Sequence, residues 1–458
     1  MMRAVTLAVA ASLAGCSLQS PYVRPALPAP TSWPVGDPYL RQNEAALPTV
    51  SYGQVFTEPR LQTLIGQALA NNRDLRVAAA NILAARAQYR IQRAQQLPQV
   101  NAAGAYSQTR ASGSSTQSYS VEVGVTAFEV DLFGRVRSLS VAALNSYFAT
   151  EAGARATRLT LVGDVAQAWI TYAADASLMQ IARDTVVSAG SSVQLTRARF
   201  QGGVAPETDL GQAETVLASA QADVASLRTA LAQDVNALQL LLGSPVDPAL
   251  LPASIDDASH GLKTLPAGLS STVLLHRPDV VQAEYQLRAA NAQIGAARAA
   301  LFPTISLTSA LGFASTGLSS LFTHGALAST LAPSISFPIF NAGAGRAGVA
   351  FSQAQRDAAV ATYENAIQAG FRETADALAR QGTIADELAA RRAEATAAES
   401  VYRLTDARYR GGADTFLNSL IAQRALYSAQ QARVATELSA AVNKVALYRA
   451  LGGDAVAG

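Results

Sequence analysis

Half of the 458 residues are apolar, yet only 6% are aromatic and 15% charged, and the formal net charge is +2. That near-neutral balance leaves no basic footprint for nucleic acid. The single cysteine, Cys16, excludes an intramolecular disulfide and any cysteine cluster for a metal. Ala and Leu carry most of the apolar share, a mixture suited to long helices in close contact, because Ala is the best helix former and lets backbones approach.

The chain opens with Arg3, an apolar run from Ala4 to Ala14 and small residues before Cys16, which together define a secretory signal over residues 1–15. Leu13-Ala14-Gly15-Cys16 resembles the lipobox of bacterial lipoproteins. That resemblance implies an acylated Cys16 as first mature residue; the alternative is a plain signal with an incidental cysteine. Three acyl chains would anchor far more firmly than one, since each buried CH₂ contributes about 0.8 kcal/mol. Ser17 stands where Asp is the usual inner-membrane retention residue, which favours the outer membrane. Residues 16–60 read as an anchor and an extended segment. No later stretch is apolar over about 18 residues, so a membrane crossing requires strands.

The rest of the chain is duplicated. RARFQGG at 197–203 matches DARYRGG at 406–412, and AQYRIQRAQQLP at 87–98 matches AQIGAARAALFP at 292–303. The repeats are assigned to residues 61–260 and 261–458. In the first, periodicity predicts a helix from Leu61 to Leu97, stopped by Pro98. From Val100 to Val130 the period switches to two, with Tyr119, Val121, Val123, Val125 and Ala127 alternating with small or polar residues. RASGSSTQS (110–118) reads as an exposed loop between two strands. The second repeat alternates through Ile305, Leu307, Leu311 and Phe313, then Leu331, Pro333, Ile335, Phe337 and Ile339. Prolines weaken that last strand as a central one.

Each strand pair is followed by a proline-free helical tract, from about Gly134 to Phe200 and from about Gly345 to Tyr409. Some 65 residues make roughly 100 Å of helix, more than a globular domain needs. Gly202-Gly203 and Gly411-Gly412 end these helices as glycine ends helices generally, and a second long helix returns. In the first return helix Leu217, Val224, Leu231 and Leu238 recur every seven residues, a coiled-coil seam.

Four short strands cannot close a membrane barrel alone, because the smallest has about eight and open edges are not tolerated in lipid. Three copies would supply twelve strands and gather the long helices into a tube. The expected fold is therefore mainly α with a membrane β-barrel: four strands per chain, a trimeric twelve-stranded barrel and a long periplasmic helical tunnel.

The stretches GCSLQSPYVRPALPAP, FEVDLFGRVR (128–137) and RPDVVQAEYQLRAANAQIGAARAALFPTISL (277–307), with the paired RF-x-GG and RY-x-GG helix ends, carry a family resemblance. Over essentially the whole mature chain the sequence resembles the TolC-like outer membrane factors, and more closely the OprM/NodT-type efflux lipoproteins. The resemblance implies a homotrimeric duct coupled to a periplasmic adaptor protein and an inner-membrane pump of the resistance–nodulation–division class, set in outer-membrane lipid. Phe128 and Tyr52 depart from the pattern, standing where the family leads one to expect tryptophan.

By the same resemblance, Tyr409 and Asp209 are candidates for a closing hydrogen bond at the periplasmic tip, and Asp414 for an acidic ring. Asp209 and Asp414 could instead serve only as helix-start residues. Ile421 and Asn418 occupy positions where family members carry acids, so Leu417, Leu420 and Ile421 could supply an apolar seal. His260, His276 and His324 lack ligand-like neighbours, and no nucleophile elbow is present, so neither a metal, a cofactor beyond the lipid, nor catalysis is expected. Two rival readings are the duct of a type I protein-secretion system and a pore-free coiled-coil envelope lipoprotein.

Overall fold

The computed structural model describes residues 18–30, 51–111, 113–263 and 271–453. Cys16 and the signal segment lie outside the described residues. The first half contains α1 (Tyr52–Val55), α2 (Pro59–Asn71), α3 (Arg73–Ala94), β1 (Val100–Ala111), β2 (Ser114–Glu129), α4 (Arg135–Gln201), α5 (Glu207–Leu242) and α6 (Ile255–Ser259). The second half repeats the plan with α7 (Pro278–Ala299), β3 (Thr304–Ser315), β4 (Leu327–Ser336), α8 (Ala344–Arg410) and α9 (Phe416–Ala450). The proline-free tracts α4 and α8 are both 67 residues long. Among the described residues no helix is long and apolar enough to cross a membrane.

The helix expected from Leu61 to Leu97 is broken. Asn72 leaves the helical region at φ −57°, ψ 137°, and its side-chain oxygen accepts from the N–H groups of Asp74 and Leu75 at 2.9 and 3.1 Å. Asn72 Nδ2 also donates to the Leu241 carbonyl at 2.9 Å. A local cap and a tertiary bond together outweigh continuation of the helix, as Asn caps often do. The next helix ends at Ala94, and residues 95–97 turn ahead of Pro98.

One compact unit draws on residues 79–152 and 281–365 together with the N-terminal residues through Ala26. It holds a four-stranded antiparallel sheet in the order β1-β2-β3-β4. Cross-strand partners sort the side chains onto two faces. Ala102, Val123 and Leu311 share one face with Gly104, Val121, Phe313 and Leu327, and with the cross-strand pair Tyr106 and Tyr119. Opposite them lie Ala103, Glu122, Gly312 and Ala328. One face is apolar and the other small or polar, the pattern of a strand between lipid and an aqueous lumen. The Tyr106 and Tyr119 rings stand 4.9 Å apart.

On the small-residue face β2 and β3 approach closely. A Cβ on Gly312 would lie 2.2 Å from the Val121 carbonyl oxygen, and one on Gly124 would lie 2.3 Å from that of Ser309. A bulge between Val125 and Phe128 shifts the register. There Ala127 takes φ 49° and donates its N–H to the Thr308 hydroxyl. Most of the expected loop at 110–118 is strand: the ladder continues through Arg110↔Ser115 to Ala111↔Ser114, and Gly113 turns between them. Polar composition suggests a loop, but the exposed end of a hairpin tolerates Ser and Thr as well. In the second hairpin the strand ends at Ser336, so Phe337 and Ile339 fall beyond it.

In the same unit the N-terminal segment lies against α7. Arg24 binds Glu284 through two bonds of 2.9 and 2.8 Å, and Arg288 binds it at 2.7 Å. The Glu284 side chain is only 7% exposed, so two guanidiniums are needed to offset its desolvation. Tyr22 donates to the same carboxylate at 3.3 Å and lies under the Arg288 guanidinium. Farther along α7, Arg298 donates to the Ser20 hydroxyl at 2.8 Å and the Leu18 carbonyl at 3.5 Å.

The second unit contains residues 153–280 and 366–458 with residues 27–78. Its core is centred on Trp169, whose indole N–H donates to the Leu250 carbonyl at 2.9 Å. Val165, Ala166, Ile170 and Ala173 are fully buried on the same helix, and Leu61, Leu64 and Ile65 on α2. Along α5 the seam is real: Ala213, Ala220 and Leu238 are buried, with Leu217, Val224 and Leu231 half-buried between them. Alanine at alternate seam positions lets the partner helix approach.

Candidate functional site

The α4–α5 and α8–α9 hairpins end in glycine pairs with matching backbone geometry. Gly203 and Gly412 adopt φ 70° and 75°, the left-handed region that favours glycine. In one hairpin the N–H of Gly202 meets Ala198 O and that of Val204 meets Arg199 O; in the other Gly411 meets Ala407 O and Ala413 meets Arg408 O. Each capping set satisfies carbonyls that the helix end would otherwise leave open. The duplication therefore persists at the level of individual hydrogen bonds.

The side chains around those turns are not duplicated. Phe200 and Tyr409 occupy matching positions, yet Phe200 is 39% exposed and Tyr409 only 4%. Tyr409 packs with Val193, Ala213, Phe416 and Leu420 in a small apolar core. Its ring centroid lies 5.4 Å from that of Phe416, and the Arg199 guanidinium covers it at 4.2 Å. Arg199 also donates to the Tyr409 carbonyl at 2.8 Å.

This corrects the expected Tyr409–Asp209 bond. The Tyr409 hydroxyl is 3.1 Å from the Thr196 hydroxyl, in a buried pair. Asp209 sits in the first turn of α5, where a carboxylate complements the helix dipole. Tyr409 is thus a packing residue whose polar atom is satisfied within its own chain. Thr196 and Arg199 were not singled out from sequence, although both belong to or adjoin the repeated RARFQGG segment; only the contrast of Phe200 with Tyr409 hinted that the two tips differ.

Asp414 is held by three donors. The Thr415 N–H and the Asn418 amide donate to Oδ1 at 2.8 and 2.7 Å, and Arg408 Nε lies 3.3 Å from Oδ2. The Asn418 amide, then the Thr415 N–H, hold its carboxyl below the ordinary carboxylate range, so it stays charged. Asn418 thus holds the Asp414 carboxylate in place. Leu417 and Ile421 are 52% and 58% exposed on the next turn of α9. Leu420 belongs to the buried Tyr409 cluster, which removes it from any exposed apolar ring.

In the sheet-bearing unit, both sheet edges are open among the described residues. The strands β1 and β4 each pair on one side only. On the helices that precede β1 and follow β4, Leu83 and Ile91 (α3) and Phe351 (α8) are 66%, 59% and 63% exposed, and Leu331 and Ile335 on β4 are 72% and 71% exposed.

A sheet apolar on one face, open at both edges and rooted on 67-residue helices defines a channel-forming outer-membrane protein. The chain belongs to the outer membrane efflux protein family, whose model matches residues 64–244 and 269–453. It is 44% identical to the probable efflux pump outer membrane protein TtgC of Pseudomonas putida, over 98% of this chain and 95% of that one. The outer membrane protein OprJ of Pseudomonas aeruginosa is 39% identical over 98% of this chain and 95% of its own length. Among solved structures, the open state of the Neisseria gonorrhoeae MtrE outer membrane channel superposes with a TM-score of 0.87 at 34% identity, covering 96% of this chain and 98% of that one. The protein is an outer-membrane efflux component, and the secretion-duct and pore-free readings give way to it.

Proposed function

We propose that three copies of the chain close a twelve-stranded barrel in the outer membrane, continue as a periplasmic helical tunnel, and conduct small molecules delivered by a periplasmic adaptor and an inner-membrane pump of the resistance–nodulation–division class. The observation that carries this reading is the pair of open sheet edges, each leading into a helix with exposed apolar residues. Unpaired backbone groups in hydrocarbon cost several kcal/mol each, and pairing β4 of one copy with β1 of the next removes them all. A second copy also covers Leu83, Ile91 and Phe351.

A lipid on Cys16 completes the anchor. Leu18 meets Arg298 in the last turn of α7, six residues ahead of β3, so the described part of the N-terminal segment leads toward the foot of the sheet. Relatives are described as toluene, solvent and antibiotic efflux proteins of Pseudomonas putida. The cargo here is accordingly of the same kind, apolar solvents and amphipathic drugs, and selection among them belongs to the pump. At the tip, Asp414 supplies a negative ring, and Leu417 with Ile421 an apolar constriction that holds the resting channel shut.

The test is planar-bilayer conductance of crosslinked, purified trimer. Wild type is expected to show small, cation-preferring currents. Leu417→Ser with Ile421→Ser should raise single-trimer conductance about twofold or more, and Asp414→Ala should move the reversal potential toward non-selectivity. A chain that stays monomeric in detergent, or trimers that pass no ions in any variant, overturns the reading.

A further inference from the structure

A cleft of about 530 Å³ lies where α3 ends and α4 begins, at the foot of β1 and β2. Arg93 and Arg137 line it from the two helices. Neither guanidinium has an ion-pair or hydrogen-bond partner among the described residues. The carboxylates in the same wall are already committed. Glu129 receives Arg135 through bonds of 2.8 and 2.5 Å. Asp131 accepts the Arg137 backbone N–H at 2.7 Å through Oδ2, and its Oδ1 is buried away from both guanidiniums without a hydrogen-bond partner among the described residues.

Arg137 stands in the first turn of a 67-residue helix, where a cation opposes the helix dipole. Its side chain gains nothing from its own helix and has no carboxylate to offset that placement. Asp131 answers the positive helix end through the Arg137 N–H, but the Arg137 and Arg93 guanidiniums line the cleft with no carboxylate paired to either. The internal duplication sharpens the contrast. Arg93 aligns with Arg298, and Arg298 is fixed by the Leu18 carbonyl and the Ser20 hydroxyl. No described segment does the same for Arg93. Beside the two cations the lining turns apolar, with Phe128, Val141 and Leu144.

We propose that Arg93 and Arg137 form a phosphate site at the foot of the sheet, which takes the phosphodiester headgroup of a membrane phospholipid with its glycerol end against Phe128. The inference rests on the outer-membrane barrel reading, because only then does the foot of β1 and β2 lie at the depth of headgroups. Paired guanidiniums suit phosphate through charge-assisted, multidentate hydrogen bonds. The apolar lining distinguishes a lipid phosphate from a free one.

The experiment is native mass spectrometry of the purified full-length trimer, titrated in separate arms with short-chain phosphatidylethanolamine, phosphatidylglycerol, diacylglycerol and inorganic phosphate. Wild type is expected to retain both phospholipids and not diacylglycerol. Arg93→Gln with Arg137→Gln should weaken phospholipid retention on the order of tenfold, while Arg110→Gln at the far end of β1 leaves it unchanged. Displacement of phospholipid by equimolar inorganic phosphate would reassign the same site to free phosphate. Conductance of each variant is recorded alongside. A double variant that conducts as a trimer and holds phospholipid as wild type does overturns the site alone, whereas loss of trimer and current together points to failure of the barrel reading.

Discussion

Tyr409 shows how little a residue's chemistry alone decides its task. Its hydroxyl lies in a buried pair with Thr196 and its ring is enclosed by Phe416, Leu420 and Arg199. Deleting the hydroxyl leaves the Thr196 hydroxyl without its partner at a buried position, so Tyr409→Phe should cost about 1 kcal/mol. Tyr409→Ala also removes the ring and should cost about 3–5 kcal/mol. Hydrogen exchange of amides in residues 405–420 reads both, and the order Ala ≫ Phe is the expected outcome. Asp209→Asn should leave the same amides unchanged, since Asp209 has no part in that cluster. Equal loss of protection in Asp209→Asn and Tyr409→Phe would restore a bond between the two. Both residues were candidates through the family resemblance, which marks positions near two helix ends but not what each side chain touches. What it could not show was the rotation of α8 about its axis, which turns Tyr409 onto Val193 and Ala213. By contrast, the glycine pairs were fully legible, because only a left-handed backbone position demands glycine at the end of a long helix.

At the scale of the element, the helices and strands followed from periodicity and punctuation, and the errors share a cause. The break at Asn72 and the strand extension through Arg110 and Ser115 are both decided by pairing: with Leu241, far away in sequence, in one case, and across the hairpin with β2 in the other. Local composition cannot report those. The α5 seam contains a further feature that heptad counting passes over. Asp234 falls seven residues beyond Leu227 at a seam position and shares a hydrogen bond with Asp175 on α4. Burial first, then the Asp175 charge, pushes the Asp234 carboxyl up to about 6, and burial raises Asp175 as well. No basic group contributes to either shift. The folded hairpin thus holds a proton that the unfolded chain releases near pH 4. Its stabilising share is complete below that pH and is lost as the pH rises through about 6. Thermal unfolding of the full-length protein should therefore occur at lower temperature at pH 8 than at pH 5. Asp234→Asn keeps a donor for Asp175 and removes one buried charge, so it should raise stability at pH 8 by about 1 kcal/mol and flatten the pH dependence. A variant as pH-sensitive as wild type between pH 5 and 8 would show that the pair does not govern it.

For the whole molecule, the single chain is an incomplete object in a specific sense. The repeats divide the sequence into halves, but each compact unit takes segments from both, so neither repeat is a body that could fold alone. Completion falls to the edges. Leu83, Ile91 and Phe351 are exposed although they stand on helices that already have other neighbours, and each large apolar side chain gains about 1.5–3 kcal/mol when covered. Placing a carboxylate there leaves the fold of one chain untouched, since the side chains point to solvent. In the trimer the same carboxylate would be desolvated against an apolar partner with no cation to meet it. Leu83→Glu, Ile91→Glu and Phe351→Glu should therefore each shift purified protein from trimer toward monomer on native mass spectrometry in detergent, with far-ultraviolet circular dichroism unchanged. Two such changes on opposite edges should abolish the trimer and, with it, conductance. Val187→Glu provides the control: it is 71% exposed yet lies on α4, outside the two edge stripes, and should leave assembly intact. If the edge variants remain trimeric while retaining helicity, these stripes are not where the copies meet, and closure of the sheet must be sought elsewhere.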